Sequence, residues 1–197
     1  MYYLAAIVVV AGVLILVVSS SSLLFSNKAN EGTSPQERID VRARPVTVNF
    51  PAPYYGTVTG YHLFIVYTDG AGKQFICEAL PLDPSTGLMP SESALFSNHK
   101  ALLARGYCQP YGPGTAAVNV ANAPSVTATT INAKEVYSCF VKETSAFNAA
   151  SVPYRLTTGP NSNSFVRTLL DHCKVPAVKP PFAVLTPGWD MSISFER

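Results

Sequence analysis

The sequence is short of charge. Of its 197 residues only 13% are Asp, Glu, Lys or Arg, 48% are hydrophobic, and the formal net charge is +2; an ordinary soluble protein carries roughly 25% charged residues. A balance this close to zero, with no Lys/Arg cluster, excludes an electrostatic nucleic-acid binder, and no acidic run forms a polyanionic tail. The single tryptophan is Trp189, and the three histidines, His62, His99 and His172, stand apart from one another. Neither Cys-x-x-Cys nor His-Glu-x-x-His spacing occurs, so no metal site is expected. Gly-x-Ser-x-Gly and the phosphate-binding loop are also missing, since Gly70-Ala-Gly-Lys73 lacks the required spacing. No cofactor is expected.

Charge is scarcest at the start, where Lys28 is the first charged side chain. Met1 to Val18 runs without interruption, about 27 Å of helix at 1.5 Å per residue, and the stretch to Phe25 exceeds the roughly 30 Å hydrocarbon core of a bilayer. Residues 1–25 therefore read as a transmembrane anchor in contact with the lipid bilayer. A cleaved signal peptide has a shorter apolar core and a basic segment ahead of it. Residues 26–45, polar and carrying Gly32 and Pro35, read as a linker, and 46–197 as one domain. Lys28, Arg38, Arg42 and Arg44 after the helix argue for a cytoplasmic domain by the positive-inside rule. Against them, Cys77, Cys108, Cys139 and Cys173 form an even set in a Pro-, Ser- and Thr-rich chain, as in oxidising compartments. Glu31, Glu37 and Asp40 interleave with the basic residues, so the reading adopted is a single-pass membrane protein with an extracytoplasmic domain. All four cysteines are disulfide candidates, with three pairings open.

Within the domain, Val46 to Phe50 alternates as a strand does, closed by Pro51 and Pro53. Tyr61 to Tyr67 and Gln74 to Leu80 flank Asp69-Gly-Ala-Gly72, a hairpin signal. The first of these strands is apolar on both faces, so both sides of its sheet need cover. Ser91 to Arg105 predicts a short helix, Tyr107 to Gly114 a loop, and Ala116 to Val120 and Ser125 to Ile131 strands. Ala133 to Phe147 repeats Val136, Cys139, Phe140 and Phe147 on one helical face. Thr158-Gly-Pro160 predicts a helix start with Pro160 in the first position, running to about Cys173. Short strands are expected at Ala183 to Leu185 and Met191 to Phe195. Separate runs of strands and helices make the fold class α+β, an antiparallel sheet packed with helices.

Chemistry concentrates on the last helix and the strand bearing His62. Ser162, Phe165, Val166, Leu169 and Cys173 form one stripe, so Ser162 points with the core and sits in a first turn that favours negative charge. Ser164 and Arg167 project off that stripe and are expected to be solvated. Ser162 as nucleophile needs a general base, for which His62 is the candidate, and a third group to orient that base, for which Glu78 is the candidate. Parity decides whether His62 and Glu78 meet. An even hairpin loop turns Glu78 away and puts Cys77 on the histidine's face, whereas an odd loop brings Glu78 beside His62. The alternative roles are a helix cap formed by Ser162 with Asn161 and a half-buried His62 bonded to backbone.

Gly60-Tyr-His-Leu-Phe-Ile-Val-Tyr67, a second strand, a helix, and then Asn161-Ser-Asn-Ser-Phe-Val166 opening another helix resemble the circularly permuted papain-like domains. These include lecithin:retinol acyltransferase-like proteins and relatives of bacterial cell-wall amidases, in which a histidine strand precedes an Asn-Cys-x-x-Phe-Val helix. The run Tyr154 to Val166 is similar to a Gly-Pro-Asn-Ser-Asn-Thr/Ser-Phe motif of bacterial domains related to them. The resemblance covers about Tyr61 to Pro176 and implies a groove at the helix start, with Ser162 and His62 in the catalytic positions and Asn161, Asn163 and Ser164 as binding residues. The chain departs from the pattern at one point: Ser162 stands where the active families have cysteine, whose thiolate is far easier to form than a serine alkoxide.

That departure ranks a catalytically silent module binding a peptide, glycan or lipid first. An amide or ester hydrolase or acyltransferase using Ser162 and His62 comes second. A structural surface or filament subunit assembled through its N-terminal helix comes third. Oligomeric state is not legible in the sequence.

Overall fold

A computed structural model describes residues 35–50, 56–91, 95, 102–112, 123–181, 183 and 185–195. The anchor at 1–25, the first part of the linker and the strand expected at Ala116 to Val120 lie outside them. Among the described residues no helix is long and apolar enough to cross a membrane.

Five strands form one antiparallel sheet: β1 Arg38–Phe50, β2 Gly56–Thr68, β3 Gln74–Leu82, β4 Leu103–Pro110 and β5 Ser125–Thr129, in the order β4-β3-β2-β1-β5. Two helices follow, α1 Ala133–Ala149 and α2 Ser162–His172. The architecture is α+β. One face of the sheet supplies Ile39, Val41, Ala43, Leu63, Ile65 and Ala79 to the core, and the helices answer with Phe140 and Phe147 from α1 and Phe165, Val166 and Leu169 from α2. Phe64, Val66 and Ile76 are buried on the other face with Ala123 packed against them. Both faces are therefore closed, as a strand apolar on both sides requires.

Several boundaries differ from the sequence reading. β1 begins at Arg38, inside the segment read as linker, because Ile39, Val41 and Ala43 alternate with Arg38, Asp40, Arg42 and Arg44 and bury the apolar set completely. The charged set lies on the opposite face, where Arg38 and Arg42 both pair with Asp40 at 3.0 and 3.3 Å and Thr127 donates to the same carboxylate at 2.8 Å. Of the helix expected over Ser91 to Arg105, Leu95 is helical with its N–H bonded to Ser91 O at 3.1 Å, and 92–94 and 96–101 lie outside the described residues; Leu103 to Arg105, with Tyr107 to Pro110 of the expected loop, belong to β4, which pairs residue for residue with β3 from Leu82↔Leu103 to Phe75↔Pro110. Gly106 is needed in that strand, since a Cβ there would lie 2.6 Å from the Phe165 ring. Pro160 precedes the α2 N-cap, Asn161, instead of opening the helix. The described tail residues expected as strands at Ala183 to Leu185 and Met191 to Phe195 are irregular. Single bonds tie them down, from Tyr61 N–H to Leu185 O at 2.8 Å and from Ile193 N–H to Thr168 Oγ1 at 2.9 Å.

All four cysteines are paired. Cys77–Cys108 joins facing positions of β3 and β4, and Cys139–Cys173 ties α1 to the end of α2.

Candidate functional site

The site begins with the β2–β3 turn. Asp69 N–H donates to Lys73 O at 2.9 Å, closing a three-residue loop whose last member, Gly72, sits at φ 81°. Glycine reaches that left-handed conformation without a Cβ clash. The Asp69 carboxylate fixes the turn by accepting from Ala71 N–H and Lys73 N–H. The odd loop sets the register Tyr67↔Phe75 and Ile65↔Cys77. Glu78 thus shares a face with His62, and Cys77 turns to the helices and its disulfide.

The contact follows directly: His62 Nε2 lies 2.9 Å from Glu78 Oε2, with both residues buried. Arg44, cross-strand from His62, reaches the same oxygen at 3.6 Å. Burial holds the His62 pKa below its usual 6.5, the Glu78 hydrogen bond opposes that shift, and the positive charge of Arg44 adds to it. The ring is consequently neutral at pH 7, with its proton on Nε2 donated to the Glu78 carboxylate and its lone pair on Nδ1.

Beyond Ile65, β2 parts from β3, and the start of α2 enters the fork. Asn163 fills the vacated edge: its Oδ1 accepts from Leu63 N–H at 2.8 Å, and its Nδ2 donates to Tyr61 O and Pro187 O at 3.0 Å each. Asn161 is the N-cap, accepting from Asn163 N–H and Ser164 N–H at 2.9 and 3.3 Å. Its Nδ2 donates to Arg155 O, Leu156 O and Pro187 O. Ser164, expected to be solvated, is instead fully buried, because it completes a capping box by accepting from Asn161 N–H at 2.7 Å and donating to Asn161 O at 2.9 Å. The polar atoms of Asn161, Asn163 and Ser164 are thereby spent on the scaffold, which leaves these three expected binding residues nothing to offer a ligand. The cap is built by Asn161 and Ser164, without Ser162.

Ser162 is the member of the motif left over. It is 6% exposed, and among the described residues its hydroxyl has no hydrogen-bond partner. Of the first four α2 amides, two go to the Asn161 side chain and Phe165 N–H to Asn161 O, leaving Ser162 N–H at the open end of the helix. Ser162 and His62 line one cavity of about 120 Å³ at the fork. Its walls are Val46, Leu156, Leu185 and Pro187, with Tyr154 also facing in. Tyr154, which the sequence reading missed, is 6% exposed, and burial pushes its phenol up to about 12; its position just before the Gly-Pro-Asn-Ser-Asn run was the available signal. No hydrogen bond joins Ser162 to His62. The structure thus brings His62 to Glu78, and His62 and Ser162 to a common cavity, without assembling a Ser–His contact.

No protein-family model, curated protein or solved structure matches the chain.

Proposed function

We propose that the chain is an exported, membrane-tethered binding module of papain-like design that is catalytically silent, and that it takes part of its ligand into the cavity at the β2–β3 fork. The observation that carries this reading is the unmade contact. His62 is committed to Glu78, and the Ser162 hydroxyl is free in the cavity without bonding the imidazole. A serine hydroxyl without a positioned base is a poor nucleophile but a good hydrogen-bond donor. Two disulfides support an oxidising compartment for the domain, and residues 1–25 supply the tether. The whole module serves ligand capture at a membrane surface, the ligand being a peptide, glycan or lipid.

One observation favours a second reading. The Glu78–His62 bond leaves Nδ1 without a partner among the described residues, and His62 and Ser162 line one cavity, so the acid, the base and the serine that a Ser-His-acid hydrolase uses are all near one another. In that reading Ser162 Oγ bonds to the carbonyl carbon of an amide or ester while Nδ1 takes its proton. Nδ1 then hands the proton to the departing amine or alcohol, and water releases the acyl group. Incubation of the full chain with a fluorophosphonate probe separates the two readings. The binding module gives an unmodified intact mass, and an adduct mapped to Ser162 overturns it in favour of the hydrolase.

A further inference from the structure

Resting on the binding reading above, we infer that the fork cavity is a receptor for a neutral acetamido group, an N-acetylated amine whose methyl enters the apolar end while its amide meets Ser162, Tyr154 and His62. Among the described residues no Asp, Glu, Lys or Arg lines the cavity. A carboxylate or ammonium entering it would lose its hydration without gaining a counter-ion from those walls. The ligand group is therefore uncharged.

Its polarity follows from what the walls leave unpaired. Ser162 contributes a hydroxyl and the open N–H of the helix start, and Tyr154 a hydroxyl with no partner among the described residues. These are donors available to an acceptor oxygen on a ligand. His62 Nδ1 is an acceptor, because Nε2–H is given to Glu78. Ser162 and Tyr154, each 6% exposed, and His62, at 9%, thus line one small space with hydrogen-bonding capacity that no described residue takes up. A purely alkyl group would leave all of them unmet, and a lone hydroxyl would not fill the walls formed by Val46, Leu156, Leu185 and Pro187.

Size narrows the choice further. An apolar cavity of about 150 Å³ holds a benzene ring, so the space of about 120 Å³ here suits a group slightly smaller. An acetamido group has the required carbonyl oxygen, amide N–H and methyl within that compass. It occurs on N-acetylated amino sugars and on N-acetylated amino acids, and the cavity reads only the group they share.

The test uses the full chain in detergent micelles, followed by amide and histidine NMR with N-methylacetamide as the probe. Saturable shifts at Ser162, His62 and Tyr154 are expected, with no saturation by acetate or methylammonium. Ser162→Ala weakens the probe about tenfold, the loss of roughly one net hydrogen bond, and Tyr154→Phe, which keeps the ring and its packing, weakens it in the same direction. N-acetylglucosamine and N-acetylalanine methylamide form the two source arms. Each is expected to shift the same residues, the tighter names the natural source, and glucosamine does not compete. Absence of saturation, acetate binding as tightly as N-methylacetamide, or affinity unchanged in both variants overturns the inference. A fluorophosphonate adduct on Ser162 alongside saturable N-methylacetamide binding overturns only catalytic silence. An unmodified Ser162 without saturation overturns only the acetamido assignment.

Discussion

Helix α1 starts from Asn132 at φ 50°, in the left-handed region, with no side-chain bond to its own first turn, whereas α2 starts from Asn161 in an extended backbone inside a full capping box. Both N-caps are asparagine, and they do different work. Asn132 terminates a loop on the surface. Asn161 joins the helix to three carbonyls of the surrounding chain, and Asn163 one turn face away locks the same helix into the sheet fork. The contrast teaches that α2 is held by side chains acting as backbone, so that the one motif residue excused from this duty, Ser162, is presented to the cavity in a fixed place. Where a helix start only begins a helix, as at α1, no such residue is left over.

The contrast can be broken from its strong end. Asn163→Ala removes the buried bond to Leu63 N–H and the part-buried donor to Tyr61 O, and takes one of two donors from Pro187 O, which keeps Asn161 Nδ2. Leaving buried groups unsatisfied costs about 1–3 kcal/mol each in unfavourable cases, so a loss of roughly 3–5 kcal/mol is expected in denaturant unfolding, the largest effect of the set. Asn161→Ala removes the cap and its three carbonyl contacts. A cap alone is worth about 0.5–2 kcal/mol, and with those contacts the expected loss is about 2–4 kcal/mol, with Ser162 displaced. Gly188→Ala reaches the same place by crowding, because its Cβ would lie 2.8 Å from Asn161 Oδ1 at a backbone φ of 79°.

His62 adds a pH term. Its folded pKa lies below the unfolded 6.5, so the unfolded chain binds the proton first as pH falls. Stability is fully present above pH 6.5, declines as pH drops below that value, and levels off beneath the folded pKa. Thermal melts between pH 8 and 5 on the wild type and on His62→Gln check the sign: the variant, with Glu78 and Arg44 still in place, shows a shallower slope over that window. The smallest effect belongs to α1. Asn132→Gly relieves a left-handed residue that makes no cap bond, and a change within about 0.5 kcal/mol is expected, neutral or stabilising.

How much of this was legible in the sequence depends on whether a residue's partner is local. The β2–β3 hairpin, α1 and α2 follow from alternation and helical stripes, and the stripe Phe165, Val166, Leu169 does face the core. The four cysteines signalled disulfides, but their pairing needed the strand register. β1 was hidden by its charges: Arg38, Asp40, Arg42 and Arg44 look like a solvated tether until their partners Thr127, Glu78 and His62 are brought in from distant segments. β4 was hidden by Gly106 and Pro110, whose use depends on Phe165 and on an edge position. The meeting of His62 and Glu78 turned on a single residue of loop length, which Gly70 and Gly72 left open because glycine accepts either closure. In the Gly-Pro-Asn-Ser-Asn-Ser run the polar residues look interchangeable, and only the fold distinguishes Asn161, Asn163 and Ser164, which are bonded inward, from Ser162, which is not.

The claim at the centre is that Ser162 and His62 share a cavity without bonding each other. Nitrogen-15 NMR of the His62 ring in the wild type and in Ser162→Ala tests it most directly. The account predicts a neutral ring at pH 7 with the proton on Nε2, an unprotonated Nδ1, and ring shifts and pKa that do not change when the Ser162 hydroxyl is removed. A proton on Nδ1, or a His62 Nδ1 shift and pKa that move in Ser162→Ala as a broken Ser–His hydrogen bond would make them move, contradicts it.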